Sequence, residues 1–193
     1  MRLFERTFQI SPRTRILDVG GSPLIWNFAA VRPQLTIVNL PAALGPAGPS
    51  RSLVAADGCR LPFRNAAFDI VFSNSVIEHV GAHLQQRFAS EIARVGRRYW
   101  VQTPNRRFPV ELHLMLPFIH YLPKPLQRAI VERFTVWQLL ARPSEPQRRF
   151  YIEHFLNELN LLDPRELQSL FPDARIVYER FLGFPKSLIA VRA

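Results

Sequence analysis

Apolar residues in this chain fall into short unbroken runs separated by polar, glycine-rich or proline-rich stretches. Arg15 to Val19 predicts a first strand, and Leu35 to Asn39, rich in β-branched residues, a second. Ser52 to Ala56 predicts a third. Phe68 to Ser73 has the unbroken apolar character of a strand buried on both faces. Leu84, Phe88, Ile92 and Val95 recur at helical spacing, with Gly96 to end that helix, and Tyr99 to Val101 predicts a fifth strand. A short helix is expected from about Pro23 to Val31, and Pro41 to Ser50 reads as a loop. Met1 to Arg13 reads as a lead-in. Strands alternating with helices predict a parallel, doubly wound α/β sheet.

From about 106 to 162 the pattern becomes mostly helical. Leu126, Ile130, Phe134, Trp137 and Leu140 share one helix face, flanked by Pro123, Pro125, Pro143 and Pro146. This stretch reads as an insertion after the fifth strand, within one domain spanning 1–193. Asp163-Pro164-Arg165-Glu166 is a helix start with the spacing of a capping box. Arg175 to Tyr178 and Ser187 to Arg192 then predict two closing strands.

At 193 residues, 48% of them apolar, the chain is long enough for a substantial core. Cys59 is the only cysteine, which excludes an intrachain disulfide or a cysteine zinc cluster. Met1 to Glu5 lacks the apolar region of a secretory signal, and no run approaches the roughly 20 apolar residues of a membrane span. A cytoplasmic protein is expected. The formal charge is +10, and Lys124 and Lys186 are the only lysines among 25 basic residues. Such a balance suits nucleic acid, anionic lipid or an acidic substrate. It equally suits a codon bias toward arginine, because the arginines are dispersed along the chain.

The most specific segment is Ile16-Leu17-Asp18-Val19-Gly20-Gly21-Ser22-Pro23. An apolar run ends in a carboxylate, two glycines and a helix-start signal, as where a buried strand turns sharply over a ligand. With Asn39-Leu40, Asp57-Gly58 and Phe68 to Val80 at later strand ends, the chain resembles the class I S-adenosylmethionine (SAM) dependent methyltransferases, in particular the small type 11 group. The resemblance runs from about Thr14 to Asn105. It implies a seven-stranded, mostly parallel, Rossmann-like sheet ending in an antiparallel hairpin.

The resemblance also implies a cofactor map. Asp18, Val19, Gly20, Gly21 and Ser22 would hold the methionine part of SAM. Asn39 and Leu40 would face the ribose, Asp57, Gly58 and Cys59 the adenine, and Asn74 and Ser75 the methyl-donor side. Two positions depart from the family pattern. Ser22 and Leu24 stand where the second and third glycines of the acidic-x-Gly-x-Gly-x-Gly loop would be. Asn39 replaces the ribose-binding carboxylate with a neutral acceptor, which bonds more weakly.

Methyl transfer from a sulfonium is an in-line displacement in which positioning supplies much of the rate. A base is needed only when the acceptor must lose a proton. His113, in Pro109-Val110-Glu111-Leu112-His113, is the first candidate base and Glu111 the second. Glu78 and His79 follow the fourth strand, at a place where some relatives hold a metal with carboxylates. Ser75 stands where another carboxylate would be, so no metal is expected. The apolar insertion suits either a lid or a pocket for a lipid-like or aromatic small-molecule acceptor, with peripheral membrane contact as a further use. Two rival readings are a degenerate methyltransferase fold acting as an interaction module, motivated by Ser22 and Asn39, and an RNA methyltransferase or RNA-binding protein, motivated by the charge. Thr103-Pro104-Asn105 is not the Asn/Asp-Pro-Pro-aromatic motif of amino-methylating relatives, and no RNA-binding module is attached, so nucleic acid is the weaker partner.

Overall fold

The computed structural model describes residues 1–41, 52–111, 116–133 and 159–193. His113, together with Phe134, Trp137 and Leu140 of the anticipated helix face, lies outside the described residues. The chain builds α1 (Arg2–Phe8), β1 (Arg15–Val19), β2 (Gln34–Asn39), β3 (Ser52–Ala55), β4 (Phe68–Asn74), α2 (Gln85–Val95) and β5 (Gly96–Pro104). A two-residue ribbon, β6 (Val110–Glu111) with β7 (Leu116–Pro117), opens the insertion, and α3 (Lys124–Arg133) follows. After the insertion come α4 (Pro164–Leu170), β8 (Arg175–Phe181) and β9 (Phe184–Arg192).

The main sheet has seven strands in the order β3-β2-β1-β4-β5-β9-β8. β1 to β5 are parallel, and β9 is antiparallel to both β5 and β8. The order reverses between β1 and β4, the position where open α/β sheets bind ligands beyond the carboxyl ends of their strands.

Both faces of the sheet are covered, which is why each central strand carries an apolar run. Leu17, Val19, Val71, Tyr99, Val101, Leu188 and Ala190 point to one side, against Phe88, Ile92 and Val95 of α2 and Leu167 of α4. Their neighbours Ile16, Ile70, Phe72, Trp100, Ile189 and Val191 point to the other, against Phe4 and Phe8 of α1 and Trp26. Phe4 sits at the centre of an aromatic cluster, its ring 4.9 Å from Phe72 and 5.7 Å from Trp100. Edge-to-face pairs of this kind add to the area they bury.

Two local readings change. The lead-in is helical: Phe4 and Phe8, one turn apart, cap the second face of the sheet, and Gln9 closes the helix in the left-handed region (φ 48°). The helix expected from Pro23 to Val31 is a single 3-10 turn, Ile25–Phe28. There Trp26 is drawn inward by a hydrogen bond to the β1 strand end, which takes precedence over continued helix.

The capping box is present in full. Asp163 Oδ1 accepts from the amides of Arg165 (2.8 Å) and Glu166 (3.0 Å), and Glu166 Oε2 accepts from the Asp163 amide (2.7 Å). At the roots of the insertion, Asn105 and Leu162 form a parallel bridge, so the chain leaves and re-enters the sheet side by side.

Candidate functional site

A cleft of about 760 Å³ opens at the carboxyl ends of the strands. That volume falls within the range of small-molecule and cofactor pockets. Its wall takes Val19 and Gly20 from β1, Asn39 and Leu40 from β2, Asp57, Gly58 and Cys59 after β3, and Ser75 and His79 after β4. Phe88 and Leu84 close it from below. A smaller hollow of about 430 Å³, beside Trp26, Asn27 and Arg32, lies toward the start of β2 and away from these strand ends.

The two glycines of the first loop meet separate steric demands. Gly20 is at φ +75°, and a Cβ there would come within 2.5 Å of Val76. Its amide donates to the Val38 carbonyl at 2.7 Å, which ties the loop to β2. A Cβ on Gly21 would lie 1.8 Å from Asp18 Oδ2, so the loop crosses directly over that carboxylate.

Asp18 lies behind this loop and not in the cleft wall. It is completely buried, and Oδ2 accepts the indole N–H of Trp26 at 2.7 Å. Among the described residues Oδ1 has no hydrogen-bond partner. Burial pushes the carboxyl up to about 7, against the opposing pull of the Trp26 hydrogen bond.

Asn39 uses both ends of its amide internally. Nδ2 donates to the Gly21 carbonyl at 3.3 Å, and Oδ1 accepts from the Leu40 amide at 2.9 Å. A carboxylate at this position has no N–H to offer Gly21. The departure from the acidic residue of the family therefore links the first two loops. Asp57 Oδ1 accepts from the Cys59 amide at 2.8 Å, an Asx turn that shapes the third strand end. A Cβ on Gly58 would come within 2.7 Å of the Phe88 ring, so the floor of the cleft fits tightly under this turn. Burial, then the neighbouring Asp57, push the Cys59 thiol up to about 11, which keeps it a neutral wall residue.

Ser75 adopts φ +56°, and its amide donates to the Gln102 carbonyl at 2.9 Å. This turns the chain abruptly after β4 and brings His79 into the cleft. Glu78 points the other way. It is fully buried, Oε2 accepts from Thr103 Oγ1 at 2.9 Å, and its backbone carbonyl accepts from the Asn160 amide at 2.8 Å. Gln85 Nε2 donates to the carbonyls of Ile77 and Asn160. The turn after β4 is thus clamped to the returning end of the insertion, a contact that sequence spacing does not reveal.

Of the residues singled out from sequence, Val19, Gly20, Asn39, Leu40, Asp57, Gly58, Cys59, Ser75 and His79 share the cleft wall. Asp18, Gly21, Ser22, Asn74 and Glu78 are not among its lining residues. Glu111 is in β6, away from the seven-stranded sheet. Sequence reasoning missed Leu84 and Phe88 as cleft residues, although their place on the inner face of the α2 segment was legible.

The strand order is that of the class I methyltransferases. The chain also matches the family model described as a methyltransferase domain over residues 30–98. Malonyl-[acyl-carrier protein] O-methyltransferase of Legionella pneumophila is 37% identical over 89 residues, covering 39% of this chain and 31% of that enzyme. Phosphoethanolamine N-methyltransferase 2 of Haemonchus contortus, solved with SAM, superposes with a TM-score of 0.57 at 13% identity, over 92% of this chain and 37% of that one. Magnesium protoporphyrin IX methyltransferase of Synechocystis, solved with S-adenosylhomocysteine, gives 0.56 at 12% identity, over 99% of this chain and 80% of that one. The chain thus spans about a third of the lengths of the first two relatives. The superpositions establish the architecture, and the family-model match runs from just after the 3-10 turn at Ile25–Phe28 to the start of β5.

Proposed function

We propose that this protein is a SAM-dependent methyltransferase acting on a small-molecule acceptor. The observation that carries the reading is the cleft at the carboxyl ends of β1, β2 and β3, walled by Gly20, Asn39 and Asp57. Residues on this wall fit the cofactor. The glycine loop approaches without side chains, Asn39 offers an amide at the ribose position, and the Asp57 turn offers a carboxylate and backbone groups to the adenine edge. Phe88 and Leu84 supply an apolar floor for the ring. When bound, SAM supplies an activated methyl group on a sulfonium.

The chain's own residues then orient and shield. Asp18, held by Trp26, supports the loop from behind. Ser75 and His79 border the side from which the acceptor approaches. His79 is the cleft-facing candidate for taking a proton from the acceptor, with Glu78 as a positioning residue through Thr103. His113 and Glu111, at the start of the insertion, are the second pair of candidates. Malonyl-[acyl-carrier protein], phosphoethanolamine and a magnesium porphyrin are the acceptors that the relatives' names give. A small acceptor bearing an oxygen or nitrogen nucleophile is the class proposed here.

Calorimetric titration with SAM and S-adenosylhomocysteine tests the reading, alongside thermal unfolding. Ligand at 100 times its Kd stabilises by about 2.7 kcal/mol, a melting shift of roughly 5–11 °C for a chain of this size. No binding at millimolar ligand by a cooperatively folded protein rejects the enzyme reading. It would favour the interaction module, in which the internally bonded Asn39 serves only to join two loops.

A further inference from the structure

β8 ends in a tip whose chemistry neither the fold nor the cleft uses. β8 is antiparallel to β9, and β9 to β5, so β8 runs parallel to β1–β5. Its last residue, Phe181, therefore reaches the same rim of the sheet as Val19, Asn39 and Pro104, where the cleft opens. The turn there is Leu182–Gly183, flanked by the facing pair Phe181 and Phe184. Leu182 is 83% exposed, and Phe181 and Phe184 are both more than half exposed. A Cβ on Gly183 would meet nothing within 4 Å, so the tip stands clear of the described residues.

Leucine at this position is disfavoured twice. Leu182 is at φ +48° and Gly183 at +83°, both central residues at positive φ as in a type I′ turn. Such turns prefer Asn or Asp before Gly, and a bulky side chain in the left-handed region is strained. The same side chain is almost fully exposed to water. Neither burial nor local conformation accounts for an apolar residue here, whereas contact with an apolar medium does.

The surrounding charge selects the medium. Arg180 Nη1 donates to the Gly183 carbonyl at 2.9 Å, which sets a guanidinium at the neck of the tip. Glu179, the acidic neighbour, is offset by Lys186 at 3.6 Å. The whole chain carries +10. Apolar side chains projecting past Arg180, with Glu179 and Lys186 cancelling one another, complement an anionic lipid surface, where the apolar groups enter the interface and the guanidinium meets headgroups. Among the described residues no helix is long and apolar enough to cross a membrane, so the contact is peripheral.

We propose that the Phe181–Phe184 tip inserts into anionic bilayers and brings the mouth of the cleft to the membrane. The inference goes beyond methyl transfer and stands or falls separately from it.

Cosedimentation of the full chain with vesicles of phosphatidylcholine alone, or mixed with phosphatidylglycerol, tests it. Wild type is expected to bind the mixed vesicles, more weakly at high salt, and to bind neutral vesicles poorly. The L182N variant installs the Asn-Gly pair that suits the turn, so the fold is preserved. Combined with F184S it is expected to weaken partition by about ten-fold or more. SAM affinity of the same variant, read by calorimetry, should stay unchanged. Failure of wild type to bind mixed vesicles overturns the proposal, as does equal binding by the variant. Concentration-dependent dimerisation in sedimentation velocity, lost in the variant and without vesicle binding, also overturns it and assigns the tip to a second copy.

Discussion

Trp26 holds Asp18 through a 2.7 Å hydrogen bond from its indole nitrogen, and the carboxylate so held lies directly under Gly21. A completely buried acid therefore forms the base on which the glycine loop rests. Its proton uptake is linked to folding. Burial pushes the folded carboxyl up to about 7, from 3.8 when free. The folded state then binds more protons than the unfolded one, and the stability contribution present below pH 4 is lost as pH rises to about 7. The decline corresponds to on the order of 4 kcal/mol. Urea unfolding at a series of pH values should show this decline for wild type and a much flatter profile for D18N. Parallel profiles would mean that Asp18 titrates normally.

Replacement of Gly21 by alanine addresses the same contact from above. The new methyl would lie 1.8 Å from an oxygen fixed by Trp26, so the loop must move. G21A is expected to weaken SAM binding at least ten-fold, with a stability loss of about 1–3 kcal/mol from overpacking. Calorimetry at matched folded fraction is the check, and unchanged affinity would mean that the loop does not hold the ligand.

Asn39 makes opposite demands on stability and affinity. N39D removes the donor to the Gly21 carbonyl and sets a charge against it, a loss of about 1 kcal/mol. The same change restores an ionised acceptor where the family resemblance places the ribose hydroxyls, and charged acceptors bond roughly twice as strongly. The expected outcome is a lower Tm with SAM affinity several-fold tighter. A variant both less stable and weaker in binding would show Asn39 to be purely a loop latch.

Two aspartates separate site from scaffold. Asp57 shapes the third strand end within the cleft wall. Asp69 lies early in β4, where Oδ2 accepts from the Arg15 amide at 2.9 Å and Oδ1 from its guanidinium at 3.1 Å. Burial tends to raise the Asp69 carboxyl, but the Arg15 hydrogen bonds and charge outweigh it and hold it below the usual range. That contribution is present near neutrality and lost as pH falls through the lowered value. D57A should weaken SAM binding more than D69A, and D69A should cost more stability than D57A near pH 7 and relatively less in acid. Equal effects on binding would remove Asp57 from the proposed adenine site.

The central strands β1, β4 and β5 were legible because they are buried on both faces and so carry an apolar run, whereas β3 and β8 at the sheet edges are largely exposed. The capping box at Asp163 was legible because its reach is three residues. What escaped was set by distant partners. The α1 helix has one pair of inward aromatics, too few for a periodic signal, and it forms because Phe72 and Trp100 await Phe4. The turn after β1 looked helical until Trp26 is seen bonded to Asp18. β5 begins at Gly96, three residues before its apolar run, because a Cβ there would meet Val71 at 2.6 Å and the glycine lets the strands close. In the cleft wall, Gly20, Asp57 and Gly58 were legible as strand-end residues, whereas Asp18 lies behind the loop. The amide bridge from Asn39 to Gly21 and the clamp of Gln85 on Asn160 required the folded chain.

The bridge between Asn105 and Leu162, with the clamps of Glu78 and Gln85 on Asn160, means that both roots of the insertion are pinned to the sheet. A loop whose ends already meet changes its closure cost only slowly with length. The segment between these roots, from residue 107 to residue 159, is therefore a cassette. It can lengthen, shorten or be exchanged while β5, α4 and the glycine loop keep their places. Diversification in this architecture would then proceed by replacing one stretch of chain over a fixed floor, and a graft cut inside Arg106 and Asn160, which keeps both roots, is the natural unit for redesign.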